Sequence, residues 1–354
     1  MDTSKDLIPV RFSGNAREYF GIWIVNLCLS IVTLGIYSAW AKVRNKRYFL
    51  GNTTIGERAF EYHAKGIQIL IGRIIVVAAL IILSVSSSIS PTANIVVAIV
   101  LVGAFPWLVN RGLSFNAAMT SWSNVRFRFG GSYWPAFLVF VLYPFLTILS
   151  LYLAFPYLSR AISRYTIGRH SLGDHEFAFD SPIRPFYIAF LKTALWVVIG
   201  LVLAVGLLLM ALALSPDGPS NLILDSEDGL SFILILVSAI ILLLVVLPLG
   251  TIYSALTRNA IYQGIVLEDG HRFKSTISAT TLIWIALSNS VAVVFSLGLL
   301  LPWARVRVAR YLCAHSWVAP NSSLDEFAGE LQRSPTAIGD AYMDIESVDI
   351  GAAV

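Results

Sequence analysis

Charged residues are scarce in this chain. Asp, Glu, Lys and Arg make up 13% of its 354 residues, whereas 57% are hydrophobic. A soluble domain carries roughly 25% charged residues, so the composition excludes a water-soluble globular protein. Four apolar stretches have about the 17–25 residues that a helix needs to cross a bilayer, namely 67–88, 94–110, 192–214 and 230–253. A transmembrane β-barrel would show segments of about ten residues with alternating polarity, so we predict an all-α, polytopic membrane protein.

Cysteines and catalytic motifs are nearly absent too. Cys28 and Cys313 are far apart in the sequence and show no CxxC spacing. The chain has no Gly-Lys-Ser/Thr phosphate loop, no Gly-x-Ser-x-Gly elbow and no His-Glu-x-x-His zinc motif. His170 and His175 are five residues apart, a spacing that does not place two ligands on one helix face. We therefore expect no enzyme, no cofactor and no metal.

The chain does contain one apolar-to-basic junction three times. The copies are TLGIYSAWAKVRNKRY at 33–48, SLYLAFPYLSRAISRY at 150–165 and SLGLLLPWARVRVARY at 296–311, and the first and third agree at 8 of 16 positions. The flanks match as well, because NTTIGERAFEY (52–62) resembles RHSLGDHEFAF (169–179). Internal repetition of this kind predicts a fold built from units. The predicted divisions are an N-terminal tail (1–10), a first repeat unit with a helical hairpin (11–125), a second such unit (126–270), a truncated third unit (271–319) and an acidic, disordered tail (320–354).

These motifs resemble those of a known family. Arg-Phe-x-Gly, an apolar segment, Leu-Gly-Ile-Tyr-x-x-Trp-Ala-Lys-Val-Arg-x-x-Arg-Tyr and a Gly/Phe-rich end are similar to the YjgN family of bacterial inner-membrane proteins, a family of unknown function. The resemblance covers roughly residues 10 to 318. It implies the inner membrane of a Gram-negative bacterium and supplies no catalytic residues. The middle copy departs from the pattern, with Tyr157 in place of Trp and Ala161 in place of the first Arg.

Basic residues are unevenly distributed between the apolar segments. The turn at 88–94 has no charge and the turn at 215–229 has four acidic and no basic residues, so all 25 Lys and Arg lie elsewhere. The positive-inside rule then predicts both turns in the periplasm, and the basic loops and the C-terminal tail in the cytoplasm. This arrangement requires that the segments 19–40, 133–157 and 281–303 enter the membrane and return.

The alternative for these three segments is that they span the membrane, although the basic residues would then be divided almost equally between the two sides. The predicted fold therefore has four spanning helices plus three repeat segments that are re-entrant or spanning. Two intramembrane polar residues, Asn26 and Asn289, align near the centres of the first and third segments, where we expect a re-entrant chain to turn.

The repeated junction predicts a binding surface for lipid or another phosphate-bearing molecule. An aromatic residue and two arginines at i, i+4 and i+7 share a helix face, and guanidinium groups bind phosphate bidentately. The candidate residues are Trp40, Arg44, Arg47, Tyr157, Arg160, Arg164, Trp303, Arg307 and Arg310. The predicted function is binding or transport of a lipid or other amphipathic, phosphate-bearing molecule. The alternative is a scaffold whose basic cytoplasmic face docks partners or anionic lipid headgroups; nucleic acid is not expected.

Overall fold

Ten short strands form the centre of the molecule. A computed structural model describes residues 7–214, 229–246, 249–321 and 323–333, and its strands close into an antiparallel barrel in the order β1-β10-β9-β8-β7-β6-β5-β4-β3-β2. The strands are β1 (Ile8–Phe12), β2 (Thr53–Ile55), β3 (Arg58–Tyr62), β4 (Thr120–Trp122), β5 (Val125–Phe129), β6 (His170–Leu172), β7 (His175–Phe179), β8 (Ile265–Leu267), β9 (His271–Ser275) and β10 (Ser316–Ala319). The all-α prediction is therefore wrong.

The strands escaped detection because each has only three to five residues. The similar segments 52–62 and 169–179 are in fact β-hairpins, β2–β3 and β6–β7. Gly56 and Gly173 take positive φ angles of 64° and 58° in their turns, a backbone conformation that glycine adopts without steric cost. Alternating polarity over so few residues is a weak signal beside apolar helices of 24 residues and more.

Helical hairpins connect every odd-numbered strand to the next even-numbered one. Since neighbouring strands are antiparallel, all five of these hairpins leave the same end of the barrel, and the β-turns lie at the other end. The helices are α1 (Ala16–Val32), α2 (Ser38–Gly51), α3 (Gly66–Ile89), α4 (Pro91–Ala118), α5 (Tyr133–Phe137), α6 (Tyr143–Leu149), α7 (Phe155–Ile167), α8 (Arg184–Leu214), α9 (Gly229–Val246), α10 (Leu249–Gln263), α11 (Ala279–Phe295), α12 (Leu301–Ala314) and α13 (Leu324–Arg333), with a π-helical turn at Leu138–Leu142 and a 3₁₀ turn at Glu268–Gly270.

Two of the five hairpins are long. Among the described residues, three helices are long and apolar enough to cross a membrane, namely α3, α4 and α8, with 24, 28 and 31 residues. The prediction of four such helices is wrong for the described residues; those of the segment 230–253 belong to α9 and α10, and residues 247–248 lie outside the described part of the chain. Residues 215–228 of the acidic turn lie outside the described residues.

The other three hairpins, α1–α2, α5–α6–α7 and α11–α12, are called the short hairpins. Each contains one of the segments 19–40, 133–157 and 281–303, and each leaves the barrel and returns to the same end of it. The expected turn at Asn26 and Asn289 is wrong, because both residues lie inside helices. The chain reverses at residues 33–37, 150–154 and 296–300 instead.

The turns of the short hairpins share one backbone conformation. Leu34, Leu151 and Leu297 have φ angles of 49°, 50° and 50°. A hydroxyl one residue before each leucine closes the turn by accepting a hydrogen bond from the backbone N–H four residues later, which belongs to the N-cap residue of the second helix. The pairs are Thr33 with Tyr37 at 2.9 Å, Ser150 with Ala154 at 3.1 Å and Ser296 with Leu300 at 3.0 Å.

The barrel interior is apolar. The third residue of β3, β5, β7 and β9 is a phenylalanine, and successive rings lie 6.3, 6.3 and 6.1 Å apart. Helix α13 packs Phe327, Ala328 and Leu331 into this core at the β-turn end of the barrel. The segment 320–354 was predicted to be a disordered tail; ten of its residues form this helix, because their apolar side chains lie on one face, and residues 334–354 lie outside the described part of the chain.

Candidate functional site

A tyrosine ties each short hairpin to the barrel. It is the Tyr of the repeated Arg-Tyr pair, and its hydroxyl donates to the backbone carbonyl of the N-cap residue of the first helix. In the first hairpin this hydroxyl also accepts from the N-cap N–H at 2.7 Å. The three donated bonds join Tyr48 to Asn15 at 2.8 Å, Tyr165 to Ser132 at 3.1 Å and Tyr311 to Ser278 at 3.2 Å.

Three of the predicted phosphate-binding arginines join neighbouring elements around the barrel. Each guanidinium donates to the carbonyl of the residue two positions after a strand ends. Arg47 binds Ala64 at 3.0 Å, Arg160 binds Ser181 at 2.6 Å and Arg310 binds Gly14 at 3.2 Å. One donor of each arginine therefore has a structural role, and Arg47 makes a second such bond to the Tyr62 carbonyl at 3.0 Å.

Asn26 and Asn289 each accept a hydrogen bond from an arginine on the second helix of the same hairpin. Both amides are buried; Arg44 donates to Asn26 Oδ1 at 3.2 Å, and Arg307 to Asn289 Oδ1 at 3.0 Å. In the second hairpin, both the asparagine and the arginine of this hydrogen-bonded pair are replaced. Tyr143 and Ala161 occupy the positions of Asn and Arg, and the Tyr143 ring packs against Tyr157 with centroids 5.3 Å apart.

In the first hairpin the predicted aromatic residue is covered by α3. A Cβ atom at Gly66 would lie 2.4 Å from the Trp40 ring, so the α3 backbone packs directly on the indole. Farther along α3, Arg73 donates to the hydroxyl and the carbonyl oxygen of Ser38. The surface around Trp40 is thus used for helix packing.

The third hairpin instead has an open cavity at the corresponding place. The cavity has a volume of about 440 Å³ and lies between α11, α12 and the start of α1. Trp303, Arg307 and Arg310 all line it, and the Arg307 guanidinium stacks over the Trp303 ring at 5.1 Å. Asn15 and Tyr311 complete its polar lining, and Ile285 is part of its apolar side.

The nine predicted binding residues therefore do not form one site. The structure brings the third-hairpin set together around a cavity and places the other two sets elsewhere on the ring of hairpins. In the second set Tyr157 and Arg164 are exposed, and Arg160 is half-buried. The sequence did not reveal the contribution of Asn15 and Ala16, which reach the cavity because β1 pairs with β10.

One serine and one histidine are hydrogen-bonded to each other, as in the active site of a serine hydrolase. Ser121 Oγ lies 2.7 Å from His63 Nε2, and Glu61 Oε2 lies 3.7 Å from the same nitrogen. In a catalytic triad the carboxylate binds the other ring nitrogen. Ser121 is also only 1% exposed, so this arrangement does not present a nucleophile to a substrate.

Comparisons with known proteins place the chain in a family. The model of a bacterial protein family of unknown function, DUF898, matches residues 8–345. Inner membrane protein YjgN of Salmonella typhimurium is 27% identical over an alignment of 356 positions, which covers 88% of this chain and 87% of that protein. Inner membrane protein YjgN of Escherichia coli K12 is 32% identical over 137 residues, or 37% and 34% of the two chains. No solved structure matches. The chain therefore belongs to the DUF898, or YjgN, family of bacterial proteins of unknown function.

Proposed function

We propose that this protein is an inner-membrane protein that binds the phosphate-bearing headgroup of an anionic lipid in the cavity beside α12. The observation that carries the proposal is the convergence of Trp303, Arg307 and Arg310 on one open volume of about 440 Å³. Ligand sites in proteins commonly occupy about 300–1,000 Å³. The inner-membrane location rests on the apolar helices and on the names of the relatives.

The chemistry of the lining suits a phosphate. Arginine offers five N–H donors, and the described contacts use one nitrogen of Arg307 for Ser288 and Asn289 and one nitrogen of Arg310 for Gly14. Two guanidinium groups beside an indole provide charge and hydrogen bonds together with an aromatic surface of the kind found at headgroup depth. The three short hairpins are copies of one unit, and in the third copy the junction lines a cavity of about 440 Å³.

The barrel is proposed to lie on the cytoplasmic side. Exposed basic residues cluster on the hairpin segments next to the barrel, among them Lys42, Arg44 and Arg47, and the cytoplasmic leaflet is the side on which such residues accumulate. The proposal is for binding without catalysis. A headgroup held there would be in contact with both the bilayer and the rim of the barrel.

The test compares two matched arginines. The full-length protein is purified in mild detergent, and its bound lipids are measured by native mass spectrometry for the wild type and for Arg310→Gln. The glutamine keeps a donor for the Gly14 carbonyl but removes the charge. Since charge-assisted hydrogen bonds contribute about 1.5–3 kcal/mol, we expect at least about a tenfold loss of affinity for phosphatidylglycerol.

The control is Arg47→Gln, which removes the guanidinium at the corresponding position of the first hairpin. There the side chain binds the carbonyls of Tyr62 and Ala64 and does not line the cavity beside α12. Its lipid content should match the wild type. Equal lipid loss in the two variants, or none in Arg310→Gln, would refute the proposal.

A second candidate function is docking of an acidic partner on the barrel wall. Arg11 on β1 and Arg272 and Lys274 on β9 are exposed, and these two strands flank β10. Such a surface suits a scaffold that recruits a protein with complementary charge. The variant Arg272→Glu with Lys274→Glu would abolish recruitment in this case and leave lipid binding in the cavity unchanged.

A further inference from the structure

The turns of the short hairpins are among the most exposed apolar parts of the protein. Leu34, Leu151 and Leu297 are 94%, 85% and 93% exposed. Side chains next to them are also apolar and exposed, such as Val32, Leu153 and Phe295. Large exposed apolar patches mark surfaces that are covered by another molecule or by a membrane.

The arginines of the same hairpins show how deep these turns can lie. At about 1.5 Å per residue, Arg44 and Arg47 lie about 9 and 14 Å along α2 from its first residue, Ser38, and the turn lies beyond Ser38. Arg307 and Arg310 have the same separations from Leu301, the first residue of α12. Half of a hydrocarbon core is about 15 Å thick, so arginines at the headgroups place the turns at the centre of the bilayer.

Deeper insertion is unfavourable. If Leu34 and Leu297 reached the far surface of the bilayer, Arg44 and Arg307 would lie close to its middle, where a charged side chain is costly. In the first long hairpin the basic residues lie farther from the turn, because Arg73 is about 24 Å along α3 from Ile89 and Arg111 about 30 Å along α4 from Pro91. At about 1.5 Å per residue, α3 and α4 measure about 36 and 42 Å, enough to cross the hydrocarbon core of about 30 Å.

We propose that the three short hairpins insert into one leaflet only, with the acyl chains on the barrel side of the bilayer as their partner. Each turn ends near the bilayer midplane, while the long hairpins cross to the far surface. Two short hairpins are direct neighbours at α12 and α1, since β10 and β1 close the barrel. At this seam no spanning helix stands between them, and the far leaflet passes over both turns. The inference does not require that the cavity beside α12 holds a ligand.

The test uses single cysteines in a Cys28→Ala, Cys313→Ala background. Cysteine replaces Leu34, Leu151 or Leu297 in turn, and Ser88 at the end of α3 serves as the matched control from a long hairpin. A membrane-impermeant maleimide is applied from the side opposite the barrel. We expect the Ser88→Cys protein to be labelled and the three turn variants to remain unlabelled. Labelling at any turn position would show that the hairpin spans, and would overturn the inference.

A depth measurement separates insertion from lack of reaction. The same turn cysteines carry a fluorophore, and the purified full-length protein is reconstituted with lipids that bear a quencher at the chain terminus or near the glycerol. Stronger quenching by the chain-terminal probe is expected for all three positions. Stronger quenching by the probe near the glycerol would place the turns at the surface and contradict the proposal.

Discussion

The first and third short hairpins share half of the residues of their junctions, 8 of 16, but differ in what lies beside them. In the first, α3 follows β3 and its Gly66 backbone packs on Trp40. In the third, the neighbour is the start of α1, and a cavity remains around Trp303. The two arginines of each hairpin keep their structural partners in both places. A local motif therefore lines a cavity only where its neighbours leave space beside it.

The largest loss of stability is predicted where α3 packs on Trp40 of the first hairpin, because an added methyl group has no room there. In Gly66→Ala the new methyl group would overlap the Trp40 ring, and overpacking of this kind costs about 1–3 kcal/mol. The free energy of unfolding in detergent should therefore fall by about that amount. Gly72→Ala in the same helix is the control, because a Cβ there meets no atom within 4 Å. If both variants were equally stable, close packing of α3 on Trp40 would be disproved.

A smaller effect on stability is expected from the arginine–asparagine hydrogen bond that the first and third hairpins share. In a double-mutant cycle of Arg307→Ala and Asn289→Leu, the two changes should be coupled by about 1 kcal/mol, within the range seen for residues in contact. The same coupling is expected for Arg44→Ala with Asn26→Leu. The measurement is again the free energy of unfolding of the four proteins in each cycle.

Arg164→Ala with Asn289→Leu provides the control for these cycles. Arg164 lies in the second hairpin, where Ala161 and Tyr143 replace the coupled pair, so the two effects should add within about 0.5 kcal/mol. Additive effects in the Arg307 cycle would mean that the buried amide does not depend on the guanidinium.

The smallest effects should come from the turns, where the second hairpin differs from the other two. Gly298 has a φ angle of 91° and the matching Tyr152 one of 67°. We expect Gly298→Ala to lower the free energy of unfolding by about 1 kcal/mol, because left-handed backbone is strained for residues with a Cβ. Tyr152→Gly should change it by less than about 0.5 kcal/mol, since relief of strain is offset by unfolded-state entropy.

Gly21→Ala is the control for the turn variants, because it lies within α1 with no atom within 4 Å of the added methyl group. It should stabilise the protein by about 0.5–1 kcal/mol through helix propensity. A Gly298→Ala protein as stable as this control would contradict the strained turn.

Part of the fold could be read from the sequence because long apolar helices carry a strong compositional signal. Residues 67–88 and 94–110 lie within α3 and α4. The barrel could not be read in the same way, because strands such as Thr53–Ile55 are stabilised by partners far away in the chain. The place of the turns was mispredicted for a related reason. Asn26 suggested a break in the helix, yet its side chain is satisfied by Arg44 on the returning helix.

The apolar helices and the threefold aromatic and arginine junction could be recognised from the amino-acid sequence, because these features depend only on composition and spacing. The cavity beside the third junction, by contrast, depends on the tertiary structure. Closure of β1 on β10 brings Gly14 and Asn15 beside Arg310, nearly 300 residues later in the chain. Long-range strand pairing of this kind depends on the cooperative packing of the whole barrel, and no local pattern in the sequence encodes it.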